Sequence, residues 1–421
     1  MAQKILHSHG VEDVEPGSFG RAFVDLVLVN EVSGSVAMQQ FSKMGAEQVF
    51  DPSKIALVAD HFVPAKDARS AELVAALRRF AREQGIDQYW EVGATTEAGI
   101  EHTLLAEEGL IRPGEFVPGG DSHTCTYGAF GAFGTGMGST DIAAAMALGE
   151  VWVRVPDSIQ VTYEGRPGPY VTGKDLILAY IGEVGVSGAT YSALEFGGEA
   201  VAGLNIDERM ALCNMSVEAG AKTGFVAADD VTADWLEGRV EGGRPAAFDA
   251  DPGASYSERV TLDLDGVGPL VACPASPGNV TEVSALESVR VDQVYVGNCA
   301  NGTMTDLRQL AQMLEGRTVA AGTRLIVVPA TQAIKRQALR EGIIETVLEA
   351  GGMLSAPTCG ACFGGHMGII AAGEVALATT NRNFRGRMGH RDSHVYLANA
   401  YVAGAAAVTG EIVDPAEVIG R

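Results

Sequence analysis

Short apolar runs precede amphipathic stretches at three places along this chain, and a polar or glycine-rich loop separates the two each time. These units span residues 54–85, 291–317 and 323–352. An apolar run followed by helical periodicity predicts a strand, a loop and a helix. In the third unit, Gly351 and Gly352 predict the end of a single helix. Repeated units of this kind favour an α/β fold with parallel sheets.

Chemically reactive side chains lie where the predicted strands end. Asp60 and His61 follow the first apolar run, Cys299 follows the second, and the cysteine-containing loop of residues 355–368 follows the third unit. In parallel α/β sheets, ligands bind beyond the carboxyl ends of the strands. The pattern therefore predicts a functional site at these strand ends.

Two changes of pattern divide the chain into three segments. Strand-like alternation begins near residue 157, and a second change follows the Pro- and Gly-containing stretch before residue 284. We therefore predict three α/β domains at residues 1–157, 158–284 and 285–421. Residues 238–257 are rich in Gly, Pro, Ala and Asp, which predicts a long loop inside the second domain.

Composition and charge limit the classes of function. The 421 residues include 53 acidic and 30 basic side chains, for a formal charge of −23. The net negative charge of the protein therefore repels nucleic acid, although a local cationic pocket could still bind an anionic metabolite. No apolar run approaches the roughly 18 residues of a membrane span. The start of the chain lacks the pattern of a secretory signal, and six cysteines are sparse for this length, so we expect a cytoplasmic protein without nucleic-acid or membrane partners.

Three of the cysteines lie in loops of small residues, where nothing bulky buries them. Cys359 and Cys362 form a C-x-x-C pair in SAPTCGACFGGHMG, and Cys299 lies in GNCANG. The pair alone is compatible with a redox dithiol, half of a zinc site or coincidence. With Cys299 there are three thiols, and His366 would complete a Cys3His zinc site. Alternatively, three thiolates hold a 4Fe-4S cluster in which one iron lacks a protein ligand and is free to act as a Lewis acid.

Histidines and carboxylates occur together in three loops. Asp60 precedes His61, Asp121 lies two residues before His123, and His102 lies in GIEHTLL. A carboxylate beside a histidine fixes the ring tautomer and raises the pKa of the ring, as general acid catalysis requires. A single pair of this kind is also typical of an ordinary loop histidine, but three such loops in one chain favour chemistry.

Three arginines, and the pair of Asn214 and Glu218, complete the candidate site residues. Arg382, Arg385 and Arg387 share the segment TTNRNFRGRMGH. They are suited either to bidentate binding of a substrate carboxylate or to pairing with surface acids. Asn214 and Glu218 are four residues apart, so they share a face if their segment is helical.

Six motifs follow one another along nearly the whole chain: ADHFVP, GGDSHTCTYGAFGAFGTGMGSTD, CNMSVEAGAKTGF, GNCANG, PTCGACFGGHMG and TTNRNFRGRMGH. In this order they resemble the aconitase superfamily, most closely its isopropylmalate dehydratase branch. The resemblance implies three α/β domains with mostly parallel sheets around a central cluster site, without a swivel domain. It also implies one 4Fe-4S cluster, held by Cys299, Cys359 and Cys362, whose open iron binds the hydroxyl and a carboxylate of the substrate.

The resemblance further implies roles for individual residues. His61, oriented by Asp60, is expected to protonate the departing hydroxyl group. The other expected catalytic residues form two pairs, Asp121 with His102 and His123 with Glu218. The residues expected to contact substrate carboxylates or the cluster are Gln39, Ser122, Asn214, Asn381, Arg382 and Arg387.

The implied activity is that of a hydro-lyase acting on a small 2-hydroxy acid. We expect 2-isopropylmalate, dehydrated and rehydrated to 3-isopropylmalate in leucine biosynthesis. The family's catalytic base is a serine on a swivel domain, which is a separate small subunit in split enzymes. We therefore expect an obligate small-subunit partner for this chain.

Two departures from the family pattern bear on the substrate. Asn298 and Ala300 stand where serine and threonine are usual. The segment LVNEVSG stands where the family usually has a His-Asp or Asn-Asp sequence together with a threonine. Hydroxyl groups near the cluster are lost in this way. Homoaconitase or methylmalate and dimethylmalate dehydratase activity is the alternative, and a cluster-dependent regulatory binding protein is the alternative from a different class.

Overall fold

Four β-sheets with helices packed against them form the framework of residues 1–419, the part of the chain that the computed structural model describes. The strands are β1 Phe19–Phe23, β2 Val27–Asn30, β3 Ile55–Ala59, β4 Tyr89–Glu91, β5 Phe116–Gly119, β6 Phe133–Gly136, β7 Glu150–Arg154, β8 Asp157–Glu164, β9 Ser192–Gly197, β10 Thr223–Val226, β11 Glu258–Asp263, β12 Leu270–Ala272, β13 Val280–Glu282, β14 Gln293–Gly297, β15 Arg324–Val328, β16 Met353–Leu354, β17 Val375–Ala378 and β18 His394–Leu397.

Helices connect most of these strands. The α-helices are α1 Ala2–Ser8, α2 Glu31–Lys43, α3 Ala68–Gln84, α4 Glu101–Glu107, α5 Ser139–Leu148, α6 Gly173–Val184, α7 Glu199–Ala202, α8 Ile206–Asn214, α9 Asp230–Leu236, α10 Asn298–Asn301, α11 Met304–Leu314, α12 Gln332–Arg340, α13 Ile343–Glu349, α14 Ala400–Thr409 and α15 Pro415–Ile419. Short 3-10 helices lie at Pro52–Lys54, Ser122–Phe130, Met215–Ala219, Val283–Ala285 and Gly360–Phe363. Among the described residues, no helix has the length and apolar character that crossing a membrane requires.

The first large sheet has five parallel strands in the order β4-β3-β2-β5-β6. Every residue of β3 is buried, as expected for a parallel strand covered on both faces. The helix that follows β3 is α3, which Asp67 caps by accepting from the N–H of Ser70 and which ends at Gly85 in the left-handed region. The first predicted strand-loop-helix unit is therefore confirmed. Strands β1 and β7 form a separate antiparallel ribbon.

The second large sheet has four parallel strands in the order β10-β9-β8-β11. Its first strand along the chain, β8, begins at Asp157, where strand-like alternation was predicted to start. No helix or named strand lies between α9 and β11, and residues 237–257 contain only an isolated bridge at Phe248. The predicted long loop in this region is confirmed.

The third large sheet has seven strands in the order β13-β12-β18-β17-β14-β15-β16. The strands from β14 onward pair in parallel, whereas β12 and β13 add an antiparallel edge. Because β12 and β13 precede residue 284 in the chain, this sheet takes in residues from both sides of that position. The division into domains at residues 157 and 284 stays a prediction.

The prediction of a single helix in the third unit is wrong. Two helices follow β15, and they are separated at Gly342, which has a φ of 77°. A residue in the left-handed conformation cannot continue the hydrogen-bond ladder of a right-handed helix, so the chain starts a new helix there. The predicted end near Gly351 is confirmed, since α13 stops at Glu349 and Gly351 has a φ of 90°.

Segments that directly follow strands of two different sheets line one pocket. Val32, Asp60 and Asp121 follow β2, β3 and β5 of the five-stranded sheet, and all three line this pocket. Cys299 and Asn381 follow β14 and β17 of the seven-stranded sheet, and they line the same space. The candidate residues at strand ends therefore come together between two sheets.

Candidate active site

The pocket between these strand ends has a volume of about 170 Å³ and collects most of the candidate residues. Those that line it are Asp60, His61, His102, Asp121, His123, Cys299, Cys359, Cys362, Asn381, Arg382 and Arg387. Ser122, Asn214 and Glu218 lie directly behind the lining, and each is hydrogen-bonded to a residue that lines the pocket. Residues far apart in the sequence are thus brought together.

Three free cysteines face the pocket. Cys299 lies in α10 directly after β14, and Cys359 and Cys362 lie in the loop after β16. This loop is held against the first sheet, because the N–H of Cys359 donates to the carbonyl oxygen of Asp60 at 2.8 Å. One backbone hydrogen bond therefore joins the C-x-x-C pair to the histidine and carboxylate group.

The surroundings of Cys299 supply hydrogen-bond donors to its sulfur. The Nδ2 atoms of Asn214 and Asn381 lie 3.3 and 3.6 Å from its Sγ. Asn381 also donates to Oδ1 of Asn214 at 2.9 Å, which fixes the two amides relative to each other. Burial raises the pKa of the Cys299 thiol well above its usual value, and the hydrogen bond from Asn214 lowers it by less.

The other two cysteines form a hydrogen-bonded pair. Donation from the Cys359 thiol lowers the pKa of Cys362 to about 5 against the effect of burial, and the positive charges of Arg387 and His123 lower it further. The same hydrogen bond, together with burial, raises the pKa of Cys359 well above its usual value. Thiolates are the form in which cysteine binds metal. Three thiols that converge on one small pocket fit an iron–sulfur cluster, whose usual protein ligands are cysteine thiolates.

The alternative of a Cys3His zinc site is not supported. Nε2 of His366 lies 3.0 Å from the carbonyl oxygen of His61 and 3.3 Å from Oγ1 of Thr358. The ring is engaged with the main chain beneath the cysteine loop, and His366 does not line the pocket that the three cysteines share. A fourth zinc ligand from this histidine is therefore absent from the described site.

His61 is held as a proton donor. Its Nδ1 lies 2.6 Å from Oδ1 of Asp60, its Nε2 lies 3.7 Å from Oδ2 of Asp121, and the ring of Phe363 packs edge-on against it. Burial lowers the pKa of His61, but the carboxylates of Asp60 and Asp121 raise it by more, so the net pKa lies well above that of an ordinary histidine. The ring therefore carries its proton at neutral pH.

Asp121 is the centre of a histidine network. Its Oδ1 lies 3.0 Å from Nε2 of His102 and accepts from the main-chain N–H of His123 at 2.8 Å. Burial raises the pKa of Asp121, but its contacts with the three histidines lower it by more, so it stays ionised. In the side chain of His123, Nε2 of the ring lies 2.9 Å from Oε1 of Glu218. The two histidine–carboxylate pairs expected from the resemblance are thus present as contacts.

Two of the three arginines face the pocket. Nε of Arg382 donates to Glu218 at 2.6 Å, and its Nη2 donates to Oγ of Ser122 at 3.0 Å. Nε of Arg387 donates to the carbonyl oxygen of Cys362 at 2.6 Å. Both guanidinium groups keep further N–H donors for an anionic ligand.

Two candidates do not reach the pocket. Arg385 is exposed and pairs with Asp392 at 2.7 Å, which matches the surface-acid alternative. Gln39 is exposed on α2 and lines a surface groove between α2 and α3. It lies eight residues beyond Glu31, the start of this helix, or about 12 Å along its axis. The structure therefore does not support Gln39 as a substrate contact within this chain.

Two buried acids of the site were not predicted. Glu31 accepts from the N–H groups of Asp60 and Phe62, and Glu101 lines the pocket beside His102. Each is the first residue of a helix, where an exposed acid is common because it complements the helix dipole. Glu31 directly follows β2, and this position after a strand was the signal that could have indicated a site residue.

A comparison with protein families shows the family of this chain. The profile of the Aconitase family (aconitate hydratase) matches residues 3–288 and 284–410. This chain belongs to the aconitase family. The resemblance drawn from the six motifs is confirmed.

Curated members of the aconitase family align with this chain over their full length. The chain is 54% identical over 420 residues to the 3-isopropylmalate dehydratase large subunit 2 of Rubrobacter xylanophilus, covering 99% of this chain and 98% of that protein. It is 51% identical over 420 residues to the 3-isopropylmalate dehydratase large subunit of Moorella thermoacetica, covering 100% and 99%.

A solved structure shows the same fold. Aconitase X of Thermococcus kodakaraensis, in its holo-form, aligns with a TM-score of 0.51 and 14% identity, over 91% of this chain and 88% of that chain. At this identity the likeness concerns the fold alone. The predicted aconitase-like α/β fold with mostly parallel sheets is confirmed.

Proposed function

We propose that this chain is the large, cluster-bearing subunit of a 3-isopropylmalate dehydratase, a hydro-lyase of leucine biosynthesis. One observation carries the proposal: three cysteines and three histidine–carboxylate pairs meet in one pocket. The full-length relatives near 50% identity carry this name. The reaction removes water from 2-isopropylmalate to give 2-isopropylmaleate, then adds it back in the opposite sense to give 3-isopropylmalate.

The residues that would hold the cofactor are Cys299, Cys359 and Cys362. A 4Fe-4S cluster bound by three cysteines keeps one iron without a protein ligand, and that iron supplies the Lewis acid that hydroxide departure requires. Asn214 and Asn381 contribute the amide donors beside Cys299, which favour its ionised form.

His61 supplies the proton for the departing hydroxyl group. Asp60 holds Nδ1, so Nε2 is the nitrogen that faces the pocket and delivers the proton. The raised pKa of His61 keeps this proton on the ring until the carbon–oxygen bond breaks. In the rehydration half of the reaction the same nitrogen takes a proton back from water.

The arginines bind the substrate as a dianion. Arg382 and Arg387 line the pocket and offer planar pairs of N–H groups to carboxylates. Glu218 and Ser122 fix the orientation of Arg382 from behind. Two positive charges in a pocket otherwise rich in carboxylates give the substrate a defined direction of binding.

The base that removes the hydrogen from the neighbouring carbon comes from a small subunit with a swivel domain. The relatives that align with this chain are named large subunits, which supports a small subunit that completes the enzyme. We place the assembled enzyme in the cytoplasm, since its six cysteines include three that must stay free for the cluster.

Turnover by the assembled enzyme tests the proposal. The chain is loaded with iron and sulfide without oxygen, mixed with the small subunit encoded nearest to it, and assayed for unsaturated acid formed from 2-isopropylmalate. Cys359→Ser should abolish both iron retention and turnover. Cys273→Ser is the matched control, because Cys273 is a free cysteine outside the pocket.

Other hydroxy acids distinguish the related substrates. Turnover of dimethylmalate, citramalate or homocitrate in place of 2-isopropylmalate would keep the hydro-lyase mechanism and replace the substrate. A wild-type assembly that retains its cluster but dehydrates none of these acids would contradict the proposed function.

A further inference from the structure

One carboxyl group of the pocket has no place in the mechanism above. Glu101 is the first residue of α4, is only 1% exposed, and lines the pocket together with His102, Asp60 and Asp121. A buried acid at a substrate site, outside the assigned acid–base set, calls for a role of its own.

Its two carboxyl oxygens have unequal surroundings. Oε1 accepts from Nδ2 of Asn30 at 3.1 Å and lies 3.6 Å from Nε2 of His102. Oε2 is fully buried and has no hydrogen-bond partner in the described part of the chain. An ionised carboxylate needs several donors when it is buried, and this one has a single amide within hydrogen-bond distance. A neutral acid instead leaves one O–H group that needs an acceptor.

The charges that face Glu101 come from every element packed around it. Asp60 and His61 follow β3, Asp121 follows β5, His102 is the next residue of α4, and Tyr127, on the 3-10 helix Ser122–Phe130, donates its hydroxyl to the carbonyl oxygen of Glu101. Burial is the largest cause that raises the pKa of Glu101 well above its usual range, and the negative charges of Asp60 and Asp121 add to it. The charge of His61 and the hydrogen bond from Asn30 act in the opposite direction with smaller effect.

We infer that Glu101 binds substrate as a neutral acid: its carboxyl group turns toward the pocket, and the oxygen that is buried without a partner then donates its O–H to a carboxylate oxygen of the bound hydroxy acid. The pocket is small, at about 170 Å³, so a substrate that reaches the arginines also lies against α4. Arg382 and Arg387 balance the negative charge of the substrate. Neutral Glu101 binds one oxygen of a substrate carboxylate without adding a further negative charge to the pocket. This inference rests on the proposed hydroxy-dicarboxylate substrate.

The kinetic test compares two variants of the assembled, cluster-loaded enzyme. Glu101→Gln keeps an acceptor for Asn30 and offers an N–H donor in place of the O–H group, so its KM should stay within about threefold of wild type at pH 7. Glu101→Leu removes the donor and should raise KM about tenfold, with kcat changed much less. Equal loss in both variants would overturn the inference.

The pH profile separates binding from a structural effect. Ionised Glu101 repels the substrate, so the wild-type KM should rise at alkaline pH, whereas the KM of Glu101→Gln should stay level over the same range. Both enzymes share every other titrating group, including those of the small subunit. The same alkaline rise in both would contradict a neutral Glu101.

An infrared measurement decides the question without turnover. The wild-type chain at pH 7 should show the carbonyl band of a protonated carboxyl group that Glu101→Gln lacks, and malate, used as a dicarboxylate probe, should shift this band. Glu115→Gln is the control, since Glu115 is an acid outside the pocket whose loss should leave the malate response unchanged. No such band at Glu101 overturns the inference even if 2-isopropylmalate is turned over, whereas a malate-sensitive band with no turnover of any hydroxy acid would count against the proposed function alone.

Discussion

Nδ2 of Asn298 donates a hydrogen bond of 2.8 Å to the carbonyl oxygen of Cys359 and lies 3.3 Å from the carbonyl oxygen of Thr358. The family usually has serine at position 298, so an amide takes over here from a short hydroxyl side chain. Asn298 has a φ of 76°, a left-handed conformation that asparagine tolerates better than most residues. The departure in the sequence thus ties α10, which carries the candidate ligand Cys299, to the loop of the candidate ligand Cys359.

Asn298→Gly should weaken retention of the cluster. Glycine tolerates the positive φ, so the main loss is the amide that holds the Cys359 loop. We expect the loaded protein to lose iron to a chelator about tenfold faster, which corresponds to the roughly 1–1.5 kcal/mol of one buried hydrogen bond. The decay of the visible absorption of the cluster measures this rate.

Asn279→Gly is the matched control for that variant. Nδ2 of Asn279 also donates to a main-chain carbonyl, that of Pro274 at 3.1 Å, but this residue is exposed and outside the pocket. Its loss should leave the rate of iron release unchanged. Equal rates for Asn298→Gly and wild type would show that the amide does not stabilise the cluster loop.

Asp60→Asn should move the alkaline limit of activity to lower pH. The charge of Asp60 helps to hold the pKa of His61 above the usual value near 6.5, so His61 stays protonated as the pH rises through neutrality. Without that charge the ring should lose its proton at lower pH. The pH profile of kcat measures the shift, and Asp87→Asn, at an exposed position, should keep the wild-type profile. An unchanged alkaline limit in Asp60→Asn would exclude His61 as the titrating acid.

Glu218→Gln should lower kcat/KM by about 10- to 100-fold while the cluster is retained. Glu218 contacts both His123 and Arg382, so one neutral substitution removes the charge that orients a histidine and a substrate-binding arginine. Glu374→Gln is the control, because it breaks an exposed pair with Arg324 in which both contacts are 2.9 Å. Steady-state kinetics with parallel iron analysis separates loss of orientation from loss of cofactor.

Much of this site follows from one rule about parallel sheets. Asp60, His61 and Cys299 were expected to meet because the carboxyl ends of parallel strands lie at one edge of a sheet. They do line one pocket, yet they come from two different sheets. Nothing local in the sequence states that the edges of these two sheets face each other. That arrangement depends on packing between segments that are hundreds of residues apart.

The features that the sequence did not reveal share a different cause. The sequence does not show which way α2 is oriented relative to the pocket. Only the folded chain shows that Gln39 is exposed and lines a surface groove instead. Glu31 and Glu101 look like ordinary acids at helix starts, because burial cannot be read from residue type. The break at Gly342 was missed because the helical periodicity continues across it.

Lys174→Met should destabilise the folded chain, and more so as the pH rises. Lys174 is fully buried at the start of α6, and its Nζ donates to the carbonyl oxygens of Thr379 and Thr380, directly before the pocket residues Asn381 and Arg382. At pH 10 the variant leaves two buried carbonyls without this donor, at a cost of about 1–3 kcal/mol. Urea unfolding of the chain, with and without the substitution, measures this difference.

The pH dependence of that difference has a definite sign. Burial lowers the pKa of Lys174 to about 8, against a usual value near 10.4 in the unfolded chain. Between these two pH values the unfolded chain binds more protons than the folded one, so the contribution of Lys174 to stability grows as the pH rises from about 8 to about 10. Subtracting the unfolding free energy of Lys174→Met from that of wild type cancels the other titrating groups, and the remainder should increase over this range. The exposed substitution Lys43→Met should give a level difference, and a level difference for Lys174→Met as well would mean that its ammonium group is no harder to keep charged in the folded chain than in the unfolded one.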